Sequence, residues 1–197
     1  MQYSLDHRAM NEFHLQMLSS PRWAQMLERD LLPWVESVAD LGDNVVEVGP
    51  GPGLSTDLLR QRTARLTAVE IDASLASKLV ARLAGSNVQV MHGNAADTGL
   101  PAGTFSSAAC FGVLHHVPSA VLQDDVLREL FRVLRPDGHL VASDALDEEG
   151  IRRHHDGDVF VPLDPERLPG RLAAAGFTDV SVHVGGYDLR FHARKPG

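Results

Sequence analysis

An apolar run followed by three alternating glycines constrains the fold of this chain more than any other feature. Residues 45–48 have the composition of a buried strand, and Gly49, Gly51 and Gly53 follow before helical spacing begins at about Leu54. Glycine allows positive φ angles and lets a ligand approach the backbone closely. The new helix points free N–H groups and its positive dipole end at the space above the loop. The segment therefore predicts a cradle for a polar or anionic ligand at the carboxyl end of a parallel strand.

Strand and helix patterns alternate after this loop. Strand-like runs occupy residues 66–70, 88–91, 105–111 and 139–143, and helical spacing fills residues 54–62, 73–83 and 120–134 between them. Such alternation is typical of an α/β fold with a parallel sheet and right-handed crossovers that place helices on both faces. Asp72 and Ser119 precede two of the helices, where short polar side chains cap free N–H groups.

The C-terminal part predicts a different arrangement. Residues 145–162 read as irregular and polar, and Asp164-Pro165 is expected to start a last helix that ends at Gly176. Alternating apolar and polar residues at 178–184 and 187–193 flank Gly185-Gly186, a pattern that predicts an antiparallel hairpin.

Residues 1–40 are expected to form a helical cover or lid over the sheet, within the same domain as residues 41–197. Phe13, His14 and Met17 recur at helical spacing, and Ser20-Pro21 is a typical helix start. Such apolar stripes usually pack as core. A lid that also lines a pocket is compatible with the same pattern.

Composition narrows the classes of function. The chain has 197 residues, a net charge of −8 and one cysteine, so one domain with no internal disulfide is expected. No apolar run reaches membrane-spanning length and no signal peptide is apparent at the N-terminus, so we expect a cytoplasmic protein without membrane insertion. The negative charge disfavours nucleic-acid binding, which needs basic surface.

Further motifs follow the glycine loop in order. Glu47 precedes the glycines in the spacing E-x-G-x-G-x-G, and Glu70 ends the second strand about twenty residues later. The segments at 92–97 (HGNAAD), 105–117 (FSSAACFGVLHHV), 132–138 (RVLRPDG) and 174–177 (AAGF) complete the set. Together these residues resemble the class I S-adenosylmethionine (SAM)-dependent methyltransferases, closest to the small ubiquinone- and menaquinone-biosynthesis type. Asn94 and Ser106 stand where that family usually has aspartate.

The resemblance implies a Rossmann-like, mostly parallel sheet of seven strands with a C-terminal antiparallel hairpin. It also implies SAM as cofactor and methyl transfer to a small-molecule acceptor, with oligomeric state left open. An acid at the position of Glu70 can accept hydrogen bonds from ribose hydroxyls. The residues expected to bind the cofactor are Glu47, Gly49, Gly51, Gly53, Glu70, Ile71, Asn94, Ala95 and Cys110.

The acceptor is expected beyond the fourth strand. His115 and His116 lie there and are candidates for a catalytic base, although either ring could simply hold the loop. We expect Phe13, His14, Met17 and Asp144 to form the facing, substrate-binding wall.

Two other functions stay open at this point. A SAM-binding protein without turnover is compatible with Asn94 and Ser106. An NAD(P)-dependent oxidoreductase is disfavoured, because Leu54 occupies the third glycine position of a dinucleotide fingerprint and no Tyr-x-x-x-Lys pair occurs. No metal ion is predicted, since the ligand-type residues His154, His155, Asp156 and Asp158 are more typical of a polar surface loop.

Overall fold

The computed structural model describes residues 11–185 and 188–197. Their strands form one seven-stranded sheet in the order β3-β2-β1-β4-β5-β7-β6. Strands β1 to β5 are parallel, whereas β7 runs antiparallel to both β5 and β6. The α/β class, the Rossmann-like sheet and the C-terminal antiparallel pair are therefore confirmed. The strands are β1 (Asn44–Val48), β2 (Arg65–Glu70), β3 (Val88–His92), β4 (Phe105–Phe111), β5 (Leu134–Ala145), β6 (Thr178–Gly185) and β7 (Asp188–Arg194).

Eight α-helices lie in the described residues. They are α1 (Glu12–Leu18), α2 (Pro21–Met26), α3 (Leu32–Val38), α4 (Leu54–Leu59), α5 (Ala73–Arg82), α6 (Ala120–Val133), α7 (Glu149–His154) and α8 (Leu168–Ala175). A π-helical turn at Leu27–Leu31 joins α2 to α3, and a 3₁₀ turn at Leu114–His116 follows β4. Ser20, Asp72 and Ser119 cap their helices with side-chain oxygens, as their positions in the sequence predicted.

The core has two parts. One cluster joins β-strand residues to α6 and α8 through large buried side chains such as Leu127, Leu130 and Leu172. The other joins the N-terminal helices to the sheet, where Leu27, Leu31 and Val35 pack in one cluster with residues of β1, β4 and β5. Burial of apolar area on both sides therefore fixes the helices against the strands. The helices of the N-terminal region thus cover part of the sheet.

Three local predictions are wrong. Residues 145–162 contain α7, in which Glu149 and Arg153 form an ion pair one helical turn apart. The last helix begins at Leu168 and not at Asp164-Pro165, because residues 165–167 first form a turn in which Asp164 accepts from the backbone N–H of Glu166. Strand β5 begins at Leu134 and not at the predicted residue 139, and its pairing with β4 is irregular between Phe105 and Ser107.

Some predictions concern residues outside the described part of the chain. They are residues 1–10 of the predicted cover, Gly186 in the predicted hairpin turn, and Tyr187 at the start of the second predicted hairpin strand. None of the helices in the described residues is both long and apolar enough to cross a membrane.

Candidate cofactor and acceptor site

The glycine loop between β1 and α4 has the backbone geometry that its sequence predicted. Gly49, Gly51 and Gly53 have φ angles of 64°, 54° and 87°, in the left-handed region that favours glycine. A Cβ at position 49 would lie 2.4 Å from Cγ2 of Val113. At position 53 it would meet the side chains of α5 at the same distance. The loop therefore requires glycine for both conformation and space.

Glu70 ends β2 and is buried directly beside this loop. Its Oε2 accepts from the backbone N–H of Gly51 at 2.8 Å, and its Oε1 accepts from that of Asp72 at 2.9 Å. Burial raises the pKa of the Glu70 carboxyl, and these backbone bonds oppose that effect. The predicted ribose-binding acid is thus positioned by the loop that it neighbours.

Glu47 points into the core from β1. Its carboxylate accepts from the Ser55 hydroxyl at 2.5 Å and from the Thr56 hydroxyl at 2.6 Å, both in α4. Burial raises the pKa of Glu47 to about 7, even though the two hydroxyl groups favour the charged form. The visible role of Glu47 is therefore to join β1 to the first crossover helix.

A cavity of about 100 Å³ opens at the carboxyl ends of the strands. Four of the predicted cofactor residues line it, namely Gly49, Ile71, Asn94 and Ala95, and so does the predicted catalytic residue His116. The wall is mostly apolar, as in small-molecule pockets generally. It also includes Val69, Gly93, Ala96, Val113, Val117, Pro118, Leu122, Val126 and Val159.

Asn94 shapes its own loop. Its Oδ1 accepts from the backbone N–H of Ala96 at 2.9 Å. Such a bond closes an Asx turn and holds the segment after β3 in place. Aspartate could make the same bond, so the exchange of aspartate for asparagine leaves the loop geometry intact.

Four other predicted residues, Glu47, Gly51, Gly53 and Glu70, do not line the cavity but lie in or beneath its glycine loop. Cys110 does not line it either; it is buried within β4 between Val48 and Ala142 on the neighbouring strands. Ser106 lies near the start of β4, where its hydroxyl is within donating distance of the carbonyls of Leu41 and Asn44 and accepts from the backbone N–H of Asn44. The departure from the family pattern at Ser106 is therefore remote from the cavity.

Asp144 lies near the end of β5 and holds His115. One carboxylate oxygen accepts from His115 Nδ1 at 2.5 Å, and the other accepts from the backbone N–H of Leu114 at 2.9 Å. Both side chains are buried. Asp144, which was predicted to bind substrate, therefore positions His115, and both of its carboxylate oxygens accept hydrogen bonds within the protein.

Four histidine rings meet beyond β4. The centroids of His115 and His116 are 4.0 Å apart, and His14 of α1 lies 5.1 Å from His116. His155, just after α7, lies 4.7 Å from His14 and 4.8 Å from His115. His14 therefore faces His115 and His116, as the sequence predicted.

Burial keeps several of these rings uncharged at neutral pH. It lowers the pKa of His14 to about 4 and that of His116 to about 2, and neighbouring imidazoles add to both effects. It also lowers the pKa of His155. His14, His116 and His155 are therefore neutral imidazoles with available lone pairs.

The two remaining wall residues differ in position. Phe13 is 59% exposed and its ring contacts His154, and Met17 is half-buried. The surface-loop prediction for residues 154–158 is wrong for His155, which is only 6% exposed. His155 was interpreted as a surface residue and Val159 was not singled out, because nothing in their local pattern signals a contact with α1 or with the cavity.

Comparison with known proteins agrees with this geometry. Residues 46–142, about half of the chain, match the family described as "Methyltransferase domain". Residues 46–142 therefore form a SAM-dependent methyltransferase domain. The predicted resemblance is thus confirmed, and with it SAM as the cofactor of the domain.

Two curated relatives illustrate the range of the family. A ribosomal RNA small subunit methyltransferase A of Deinococcus radiodurans is 47% identical over 66 residues, which are 32% of this chain and 23% of that protein. A ubiquinone biosynthesis O-methyltransferase of Xanthomonas oryzae pv. oryzae is 34% identical over 118 residues, 57% of this chain and 47% of that protein. The chain thus spans less than half the length of these curated relatives.

Solved methyltransferases share the fold over nearly the whole chain. The N-methyltransferase NodS of Bradyrhizobium japonicum, solved with S-adenosylhomocysteine, superposes with a TM-score of 0.74 at 20% identity. The match covers 98% of this chain and 97% of that chain. At this identity the likeness shows the fold alone, so the acceptor has to be argued from the site.

Proposed function

We propose that this protein transfers a methyl group from SAM to a small-molecule acceptor. The observation that supports it best is the single cavity lining that joins the glycine loop, Asn94 and Ala95 to His116. In open α/β sheets, ligands bind in the crevice beyond the carboxyl ends of the strands. A cofactor and an acceptor would therefore meet in this crevice.

The residues beside the cavity fit a nucleoside ligand. The three glycines hold the loop in a left-handed backbone conformation at the end of β1, and Glu70 offers carboxylate oxygens for ribose hydroxyls at the next strand end. Asn94, Ala95 and Ile71 supply a mixed polar and apolar wall for the adenine. We assign these residues to the cofactor by analogy with the predicted motif.

Bound SAM carries its own leaving group, so it supplies the electrophilic methyl group itself. The protein then needs only to align the acceptor, exclude water and accept a proton where the acceptor carries one. His116 lines the cavity and is the histidine placed to contact an acceptor. The His115 ring lies against His116, and Asp144 fixes the orientation of the His115 ring. Within this proposal, His116 contacts the acceptor and His115 holds His116 in position.

The N-terminal helices complete the acceptor side in this proposal. His14 brings α1 against His115, His116 and His155. The backbone N–H of Asn11 donates to Asp158 at 3.0 Å, which ties the start of α1 to the loop after α7. We therefore propose that residues 1–40 form a lid and belong to the same domain as residues 41–197.

An RNA acceptor is a second candidate, because one relative carries the name of a ribosomal RNA methyltransferase. Nucleic-acid binding depends on basic side chains that neutralise phosphates. This chain has 18 Lys and Arg against 26 Asp and Glu, with a net charge of −8. The charge balance therefore favours a small acceptor.

Calorimetry followed by a turnover assay tests the proposal. Titration with SAM, S-adenosylhomocysteine and NAD should show binding of the first two and negligible binding of NAD. Release of S-adenosylhomocysteine is then measured with a panel of small phenols, amines and carboxylates, and separately with 16S ribosomal RNA.

Turnover with a small acceptor and none with RNA is the expected result. Turnover with RNA alone would move the function to the second candidate. SAM binding without turnover on any acceptor would leave a SAM-binding protein, and NAD binding without SAM binding would contradict both.

A further inference from the structure

Three histidines from distant parts of the chain converge beside the cavity. They are His14 of α1, His116 of the 3₁₀ turn after β4, and His155 after α7. One ring nitrogen of each lies within 4.8 Å of the corresponding nitrogens of the other two. His14 and His155 are 5% and 6% exposed, and His116 is half-buried. We call this set the His14–His116–His155 cluster.

The nitrogens of this cluster lack other partners. Within residues 11–185 and 188–197, no hydrogen-bond partner with suitable geometry lies within 3.5 Å of His14 Nδ1, His155 Nε2 or either ring nitrogen of His116, and these atoms are shielded from solvent. Leaving buried polar atoms unsatisfied is costly, and most such atoms in folded proteins are paired. A cation among the three rings would satisfy several of them at once.

Supporting contacts hold the rings in place. His155 Nδ1 lies 2.8 Å from the carbonyl oxygen of Ile151, which leaves Nε2 free to act as a ligand. The side chain of Asn11 donates to the carbonyl of His154, and its backbone N–H donates to Asp158. These bonds dock α1, and with it His14, onto the segment that carries His155. The bond from His155 Nδ1 to the Ile151 carbonyl is of the kind that orients histidine ligands at metal sites.

We propose that His14, His116 and His155 bind a divalent metal ion such as Zn²⁺. Imidazole ligands suit Zn²⁺, Fe²⁺, Cu²⁺ and Ni²⁺, and sites with three protein ligands and an open position are typical of catalytic zinc. With metal–nitrogen bonds of about 2.0–2.1 Å, tetrahedral neighbours lie roughly 3.4 Å apart. Small rotations of the three side chains would bring the ring nitrogens, which lie within 4.8 Å of one another, to this distance.

The position of the cluster gives the ion a role. His116 lines the cavity as well as the cluster, so the ion would lie at the edge of the proposed acceptor site. Its open position would take an oxygen or nitrogen atom of the acceptor. This last step rests on the proposed function, whereas binding of the metal itself does not.

Metal titration of the whole, untagged chain tests the inference, since a polyhistidine tag would bind the same ions. The protein is stripped with EDTA and titrated with Co²⁺, whose visible d–d absorption is strong in low-coordinate sites and weak in the hydrated ion, and Zn²⁺ is then added as a competitor. We expect one ion per chain, displaced by Zn²⁺. Absence of the absorption in the wild-type protein would overturn the proposal without any variant.

Variants locate the site. His14→Ala, His116→Ala and His155→Ala should each weaken Co²⁺ binding at least tenfold. His154→Ala is the matched control, because His154 adjoins His155 but is exposed and outside the cluster. Equal binding by all four variants would overturn the assignment.

Circular dichroism and thermal melting confirm that each variant is folded, and a variant that fails to fold is replaced by the corresponding His→Gln protein. SAM calorimetry on the stripped wild-type protein tests the proposed function separately. Cofactor binding without metal binding would therefore refute this inference alone.

Discussion

The carboxyl group of Glu47 is buried in the core and accepts hydrogen bonds from the hydroxyls of Ser55 and Thr56. Burial raises its pKa from 4.5 to about 7. Between these two values the unfolded chain loses the proton while the folded chain keeps it. Folding stability therefore decreases as the pH rises through this window, because the folded state binds more protons than the unfolded state.

Glu47→Gln should remove this contribution. We expect the stability of the variant, relative to wild type, to increase from pH 4.5 to pH 7 by a few kcal/mol, roughly 1.4 kcal/mol for each unit of pKa shift. Urea unfolding of both proteins at a series of pH values measures the difference. Glu166→Gln, at an exposed site, serves as the control and should show no such trend. A constant difference between wild type and Glu47→Gln would show that Glu47 titrates normally.

Glu70 accepts backbone N–H groups from Gly51 and Asp72, and in the proposed function it also meets the ribose. Glu70→Ala should weaken SAM binding by about 1–3 kcal/mol, roughly 5- to 150-fold, as expected for lost charge-assisted bonds. Calorimetry measures the change. Asp72→Ala is the matched control: it removes a carboxylate two residues away that caps α5, so it should lower stability by about 1 kcal/mol with little effect on SAM affinity. Equal SAM affinity in wild type and Glu70→Ala would refute the ribose assignment.

Helix α1 is the element whose function depends most on its contacts. His14 packs against three histidine rings, and Asn11 is bonded to the segment after α7. Deletion of residues 1–18 should leave SAM binding intact, since no residue of α1 lines the cavity among the described residues, but should abolish methyl transfer. Calorimetry and S-adenosylhomocysteine release measure the two effects.

Asp158→Ala provides a milder form of the same experiment. It removes the carboxylate that accepts from the N–H of Asn11, so α1 should detach more often. Hydrogen exchange at residues 12–18 should become faster while exchange in β1 stays unchanged. For the deletion of residues 1–18 described above, methyl transfer at the wild-type rate would show that α1 is a structural cover only.

The elements that sequence predicted well are those set by local chemistry. Strands β1, β2 and β4 followed from apolar runs, and the caps Asp72 and Ser119 marked helix starts within one residue. Helix α7 was missed because its sequence is polar and the helix carries no buried residues, so it has no apolar stripe to detect. The start of α8 was misplaced because the Asp164-Pro165 signal also suits a turn.

The site divides in the same way. The positions of the glycine loop, Glu70 and Asn94 were predictable because each lies at the end of a strand or within two residues of it. The contact of His14 with His155 was not, since it depends on how α1 packs onto a segment far along the chain, and local patterns carry no information about that packing. Cys110 was expected at the cofactor on resemblance, yet its neighbours in the sheet bury it away from the cavity lining.

At the scale of the whole molecule, the cavity connects the ends of four strands. Gly49 follows β1, Ile71 follows β2, Asn94 follows β3 and His116 follows β4. A ligand bound there touches segments that are far apart in sequence and that separate on unfolding. Such a ligand binds the folded state only and therefore stabilises it by mass action.

SAM at 100 times its dissociation constant should stabilise the protein by about 2.7 kcal/mol. For a chain of this size, roughly 2–4 °C of melting temperature accompanies each kcal/mol, so we expect an increase of about 5–10 °C. Differential scanning calorimetry measures it, with NAD at the same concentration expected to give no shift. Gly49→Val is the control, because its side chain would enter the space occupied by Val113 at the cavity wall; it should melt lower and gain little from SAM. An equal SAM-induced shift in the wild-type protein and the Gly49→Val variant would place the cofactor away from the glycine loop.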